Sequence, residues 1–143
     1  MLARGPAFRL LPRLDQDNAF FWTSGSDGRL RFLRCRDCRT YIHPPAPVCP
    51  ECLSSDLGPE PVSGRATVVA HTCNVQEWIP GSAPYLIGLV AIDEQESVRL
   101  TTNLVDVEPE DVHCGMAVEV VFEENEDVFL PLFRPAPPTP VAP

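Results

Sequence analysis

Residues 35–52 read Cys-Arg-Asp-Cys-Arg-Thr-Tyr-Ile-His-Pro-Pro-Ala-Pro-Val-Cys-Pro-Glu-Cys. Two residues separate Cys35 from Cys38, two separate Cys49 from Cys52, and ten lie between the pairs. Each pair can fold as a tight knuckle with both sulfurs aimed at one point. Ten residues suffice for a hairpin that brings the knuckles together. Four soft thiolates in a tetrahedral array suit Zn²⁺ or iron. Four protein ligands leave no open position for water or substrate, so the expected ion is structural. His43 lies in the same loop but has no vacancy to fill. So small a unit has almost no apolar core of its own, and metal binding is expected to supply much of its folding energy.

Working outward, Pro44, Pro45 and Pro47 predict a stiff, extended connection between the knuckles. Upstream, Leu30–Leu33 reads as a strand leading into Cys35. Asp15 or Asp17 can cap a short helix ending near Trp22 or Thr23, with 24–28 as the turn that stops it. Phe20, Phe21 and Trp22 cannot all share one face of that helix. They therefore divide between the protein's own core and an exposed patch for a partner. Residues 53–63 are polar and turn-rich and read as a linker.

Beyond the linker come five short apolar or alternating runs bounded by turn signals: Arg65–Cys73, Tyr85–Ile92, Val98–Leu104, Val118–Phe122 and Phe129–Phe133. A single helical turn fits around Glu108–Val112. This pattern suits a small five-stranded Greek-key barrel of the OB type, with a β-sandwich fragment fitting almost as well. The expected organisation is an arm over 1–16, helix and ribbon over 17–58, barrel over 59–134 and a disordered proline-rich tail over 135–143. The fold class is mainly β.

The formal net charge is −9. Residues 66–134 hold thirteen acids and two arginines, which disfavours phosphate backbones. Arg29, Arg31, Arg34, Arg36 and Arg39 cluster around the first knuckle, either balancing thiolate charge or holding a phosphate-bearing group or acidic partner. The chain contains no lysine, so it cannot form a lysine Schiff base. His71 and Cys73 share a strand face, but nothing supplies a third, orienting group. No phosphate-cradling loop or nucleophile elbow is present, and no catalytic residue is assigned. No signal peptide or membrane span is read, so a cytoplasmic protein with reduced thiols is expected.

Several motifs occur in a fixed order. Phe20-Phe21-Trp22 precedes Gly28-Arg29-Leu30, Arg34-Cys35-x₂-Cys38, His43-Pro44-Pro45 and Cys49-Pro50-x-Cys52. Ser63-Gly64-x-Ala66-Thr67-Val68, Pro84-Tyr85 and Gly115-Met116-x-Val118 follow. Together they resemble the acyl-CoA-associated family with a rubredoxin-like zinc ribbon and a C-terminal OB-fold, over about residues 17–134. Rubredoxins themselves usually follow each cysteine pair with glycine. Arg39 and Leu53 stand there instead, which favours one structural zinc over an iron electron carrier.

The resemblance implies a non-catalytic accessory subunit. Its partners would be thiolase-like enzymes, thiolase-fold aldolases of steroid side-chain degradation, or hydratases of CoA thioesters. It implies that Phe20, Phe21, Trp22, His43, Pro44, Pro45, Pro84 and Tyr85 face that partner or its acyl-CoA channel. The family often carries Tyr-Pro-Pro-Arg in the ribbon loop; His43-Pro44-Pro45-Ala46 lacks the arginine. A nucleic-acid-binding module is the alternative, since ribbons and OB-folds often bind single strands; it needs a basic, aromatic groove. Neither nucleic acid nor membrane is expected as a partner.

Overall fold

A computed structural model describes residues 9–138. The one α-helix among the described residues, α1 (Ala19–Thr23), runs into a 3₁₀ turn, Ser24–Asp27. Asp15 does not cap the helix directly. Its Oδ1 accepts the backbone N–H groups of Asp17 and Asn18, so it orders the preceding turn. Gly28 closes the segment with φ +79°, a conformation that favours glycine.

The ribbon is a three-stranded antiparallel sheet in the order β2 (Tyr41–Ile42), β1 (Arg31–Cys35), β3 (Leu57–Pro61). The stiff connection expected between the knuckles begins with a short strand, where Tyr41 and Ile42 pair with Arg34 and Leu33; the His43–Pro44 peptide that follows is cis. One sequence expectation is corrected. The segment read as a linker contains β3, paired with all of β1 from Arg31↔Pro61 to Cys35↔Leu57. Prolines at 59 and 61 hid this strand, yet they are tolerated because β3 is a sheet edge.

The second unit is a closed barrel in the order β4 (Arg65–Asn74), β5 (Tyr85–Ile92), β6 (Gln95–Leu104), β8 (Val128–Pro135), β7 (Ala117–Asn125). β4 pairs with both β5 and β7, with a register shift between Val68 and Ala70, and β6 meets β8 in parallel at Leu104↔Phe133. The five expected strands are all present, and the helical turn is a 3₁₀ turn at Pro109–Asp111. Alternation places Val98, Leu100, Thr102 and Leu104 inside; buried Thr102 is satisfied by donating to the Pro131 carbonyl at 2.8 Å. β8 runs through Pro135 and the Ala136 N–H donates to Ala117 O, so residues 135 and 136, expected in a disordered tail, belong to the barrel. Residues 139–143 and the arm before Arg9 lie outside the described residues.

Ribbon and barrel share one core. Phe21, Leu30, Phe32 and Tyr41 pack in the same buried cluster as Val68, Val90, Val118 and Phe133. The ribbon thus buries its apolar side chains against the barrel. Gln95 ties the units further: its Oε1 accepts the Tyr41 N–H at 2.8 Å and its Nε2 donates to the Tyr41 carbonyl at 3.0 Å. No helix among the described residues is long and apolar enough to cross a membrane.

Candidate metal centre and flanking clefts

The two knuckles are near copies. Cys35 N–H donates to Thr40 O at 2.9 Å, and Cys49 N–H to Ser54 O at 2.8 Å. Arg39 N–H returns to Cys35 O at 3.0 Å, and Leu53 N–H to Cys49 O at 2.9 Å. Arg39 (φ +66°) and Leu53 (φ +64°) adopt the left-handed backbone where glycine would be easiest. The tight turn is therefore kept without glycine.

These turns bring the four sulfur atoms within 4.8 Å of one another. Cys35 Sγ lies 3.6 Å from Cys52 Sγ, and Cys38 Sγ lies 3.6 Å from Cys49 Sγ. A tetrahedron with metal–sulfur bonds of about 2.3 Å has edges of about 3.8 Å, so the cluster fits one ion. The separations are far too long for disulfides, and all four thiols are free. Cys35 and Cys49 are buried, while Cys38 and Cys52 reach the surface. The Cys38 N–H donates to Cys35 Sγ at 3.5 Å. That contact outweighs burial and lowers the Cys35 thiol to about 7, whereas at Cys52 the Ser54 N–H is outweighed by burial and the neighbouring sulfurs, which raise that thiol to about 12, so without a cation the four thiols do not ionise together.

The arginine cluster is matched by carboxylates, several from outside the knuckles. Arg31 makes a two-pronged contact with Asp27, Arg36 pairs with Asp56 at 2.9 Å, and Arg34 and Arg39 converge on Glu60. The hydrogen bonds from Arg34 and then Arg39 hold the Glu60 carboxyl below its ordinary value. Arg34 also lies over the Tyr41 ring, 4.3 Å from its centroid. Four of the five arginines are thus ion-paired within the chain, by three carboxylates.

The residues expected to face a partner do not form one patch. Phe21 is core, 4% exposed, and meets Trp22 edge-on at 4.9 Å. His43 packs on Phe21 and Phe32, with ring centroids 5.2 and 5.0 Å away. Phe20 and Pro45 line a cleft of about 500 Å³ on the ribbon, with Leu33, Leu57 and Pro59. Trp22 and Tyr85 line a different cleft of about 360 Å³ against the barrel. Pro44 and Pro84 are exposed.

A sequence model of the ChsH2 rubredoxin-like zinc ribbon domain matches residues 22–58, and one of the ChsH2 C-terminal OB-fold domain matches residues 59–123. The solved structure of an Ltp2-ChsH2(DUF35) aldolase contains a chain 35% identical to this one. Superposition gives a TM-score of 0.79 over 87% of this chain and 98% of that chain. The chain belongs to the ChsH2, or DUF35, family. Within that family it is 36% identical over 134 residues to a probable enoyl-CoA hydratase alpha subunit of Thermomonospora curvata. That match covers 92% of this chain but 41% of the relative, so the chain spans about two fifths of the hydratase subunit's length. It is also 35% identical over 100 residues to a DUF35 domain-containing scaffold protein of Methanocaldococcus jannaschii, covering 66% of this chain and 68% of that one.

The family's ribbon and barrel therefore account for the cysteine quartet and the strand pattern. Sequence reasoning missed three contributors to the barrel-side cleft of this ChsH2-family chain. Arg9 lay in the arm over 1–16, to which no role was assigned. Trp78 and Ile79 lie in the loop between β4 and β5, where they are 75% and 44% exposed. Two large apolar residues inside a Gly/Pro-rich turn segment were the available signal. No hydrogen bond joins His71 to Cys73 among the described residues.

His43 gives a pH prediction. Burial lowers its imidazole below the ordinary 6.5. The unfolded chain then takes up the proton first, so stability falls as pH drops from about 6.5 toward the folded-state value. In metal-saturated buffer, His43→Phe is expected to flatten that part of the stability curve, read as urea midpoints from about pH 7.5 to 5.5. Parallel curves for the two proteins would refute the assignment.

Proposed function

We propose that this chain is a non-catalytic accessory subunit carrying one structural zinc ion. It docks on a thiolase-like or thiolase-fold aldolase subunit and borders that subunit's acyl-CoA channel. The observation that carries the reading is the superposition on nearly the whole ChsH2(DUF35)-sized chain of the aldolase, at 35% identity. The chemistry of this chain is consistent with it. A four-thiolate shell offers no open coordination position. The family's ribbon description and the soft donor set favour zinc. The large subunit then supplies the catalytic groups, and this one supplies shape.

The ribbon-side cleft is the proposed docking face. Phe20 and Pro45 both line it, Pro44 next to Pro45 is exposed, and prolines lose little entropy on docking. Aromatic anchors buried at an interface centre are commonly worth about 2 kcal/mol or more. Phe20→Ala combined with Pro45→Gly is therefore expected to weaken association by about thirtyfold. Affinity purification of the tagged chain from its native cell, followed by mass spectrometry, tests the whole reading. A stoichiometric thiolase-fold protein is expected. Co-purifying nucleic acid without such a protein would overturn the proposal and favour the alternative module.

A further inference from the structure

The barrel-side cleft carries a feature that partner docking does not explain. Its walls are Trp22, Trp78, Ile79, Tyr85 and Leu130, and Arg9 also lines it. The Arg9 side chain is only 9% exposed. Nε donates to Glu123 Oε1 at 2.8 Å and Nη1 donates to Asn103 Oδ1. Nη2 is buried and has no hydrogen-bond partner among the described residues. Asn103 is itself held by donating to the Leu86 carbonyl at 2.9 Å, and Asn125 donates to Glu123 at 2.9 Å. The guanidinium is thus fixed from two sides, with one nitrogen left to offer N–H groups. A buried donor without an acceptor is costly, and such a group marks a place where an acceptor belongs.

We infer that this cleft binds an apolar molecule bearing a neutral oxygen acceptor, a ketone or hydroxyl, which accepts from Arg9 Nη2. Three observations select that chemistry. The walls are indole, phenol and aliphatic groups, which suit an apolar body. The volume of about 360 Å³ lies in the range of small-molecule sites. The Arg9 charge is already matched by Glu123, so a second carboxylate or a phosphate would bring an unmatched negative charge beside Glu123, whereas a neutral carbonyl would not. The natural source, an acyl group presented by a neighbouring catalytic subunit, rests on the accessory-subunit reading. The binding chemistry does not.

The chain's only two tryptophans, Trp22 and Trp78, both line the cleft, so intrinsic fluorescence reports on it directly. The probes are 2-decalone, decalin and decalin-2-carboxylate, which share one apolar body; the ketone's weak absorption where indole is excited, and any collisional quenching by it, are corrected against free tryptophanamide titrated in parallel. The zinc-loaded full chain is expected to show saturable fluorescence change with 2-decalone, at about tenfold lower Kd than with either analogue. Arg9→Met should bring the ketone to the affinity of the hydrocarbon. Glu123→Gln, which keeps the guanidinium but removes its counter-charge, should instead shift preference toward the carboxylate. No saturable change with any probe, equal affinity for ketone and hydrocarbon in the unmodified chain, or an unaltered order in both variants would each overturn the inference. Co-purification with a thiolase-fold protein is a separate readout, so failure of the partner reading and failure of the cleft reading are distinguishable.

Discussion

Cys49→Ser is expected to strip the metal ion and unfold the knuckle end of the ribbon while leaving the barrel folded. Elemental analysis should find one zinc per chain in the unmodified protein and none in the variant. The Cys49 thiol is fully buried and stands 3.6 Å from Cys38 Sγ. Serine offers a hard, protonated hydroxyl in place of a soft thiolate. Structural zinc typically contributes about 10–16 kcal/mol of apparent binding energy in isolated finger peptides. Around the knuckles only Cys35, Ile42 and Cys49 form a buried cluster, with Leu33, Ala46 and Leu57 at its edge. Nothing there can replace that energy.

The shared core sets where unfolding stops. Phe32 and Leu30 are sealed against the barrel, whose ladders involve none of Cys35, Cys38, Cys49 and Cys52. Hydrogen exchange should therefore show lost protection at the Cys35, Arg39, Cys49 and Leu53 amides, which make the knuckle turns. Amides of β5 and β7 should keep theirs. A metal-free variant with full protection at the four knuckle amides would refute the structural role of the ion.

The parts of this fold that were legible in the sequence are those written in local terms. Ligand spacing depends on a few residues in a row, and β6 announces itself by alternation at Val98, Leu100, Thr102 and Leu104. β3 was not legible, because its prolines argue against a strand unless the chain segment is known to be an edge. That is a fact of sheet order, not of sequence. The aromatic triplet posed a correct question without an answer. Phe20, Phe21 and Trp22 go to the ribbon cleft, the core and the barrel cleft, a division set by three different tertiary surfaces. Arg9 was invisible for the same reason: its partners Asn103 and Glu123 are 94 and 114 residues away. The arginine cluster was visible, but its ion pairing was not, since Asp27, Asp56 and Glu60 lie outside the knuckles they serve.

The join between helix and barrel gives the second large effect. Gly25 is buried in the 3₁₀ turn, where a side chain would be driven into the Phe122 ring and sit 2.7 Å from Phe129 Cβ. Its backbone does not need glycine's conformational freedom, so the penalty for a larger residue is steric. Phe122 lies on β7 and Phe129 on β8, and a Cβ at 2.7 Å cannot be relieved by turning a rotamer. Gly25→Ala is expected to cost about 2–3 kcal/mol, as overpacked cores do. For a domain of this size that lowers the melting temperature by roughly 10 °C. The metal should stay bound, because the knuckles are untouched, so zinc content separates this loss from that of Cys49→Ser. Combining Gly25→Ala with Phe122→Leu vacates the ring position and should recover part of the loss, giving a favourable coupling of about 1 kcal/mol in a double-mutant cycle. The recovery is partial because Phe129 Cβ remains. If the two substitutions add to within about 0.5 kcal/mol, the helical segment is not wedged against β7, and its seating on the barrel needs another explanation.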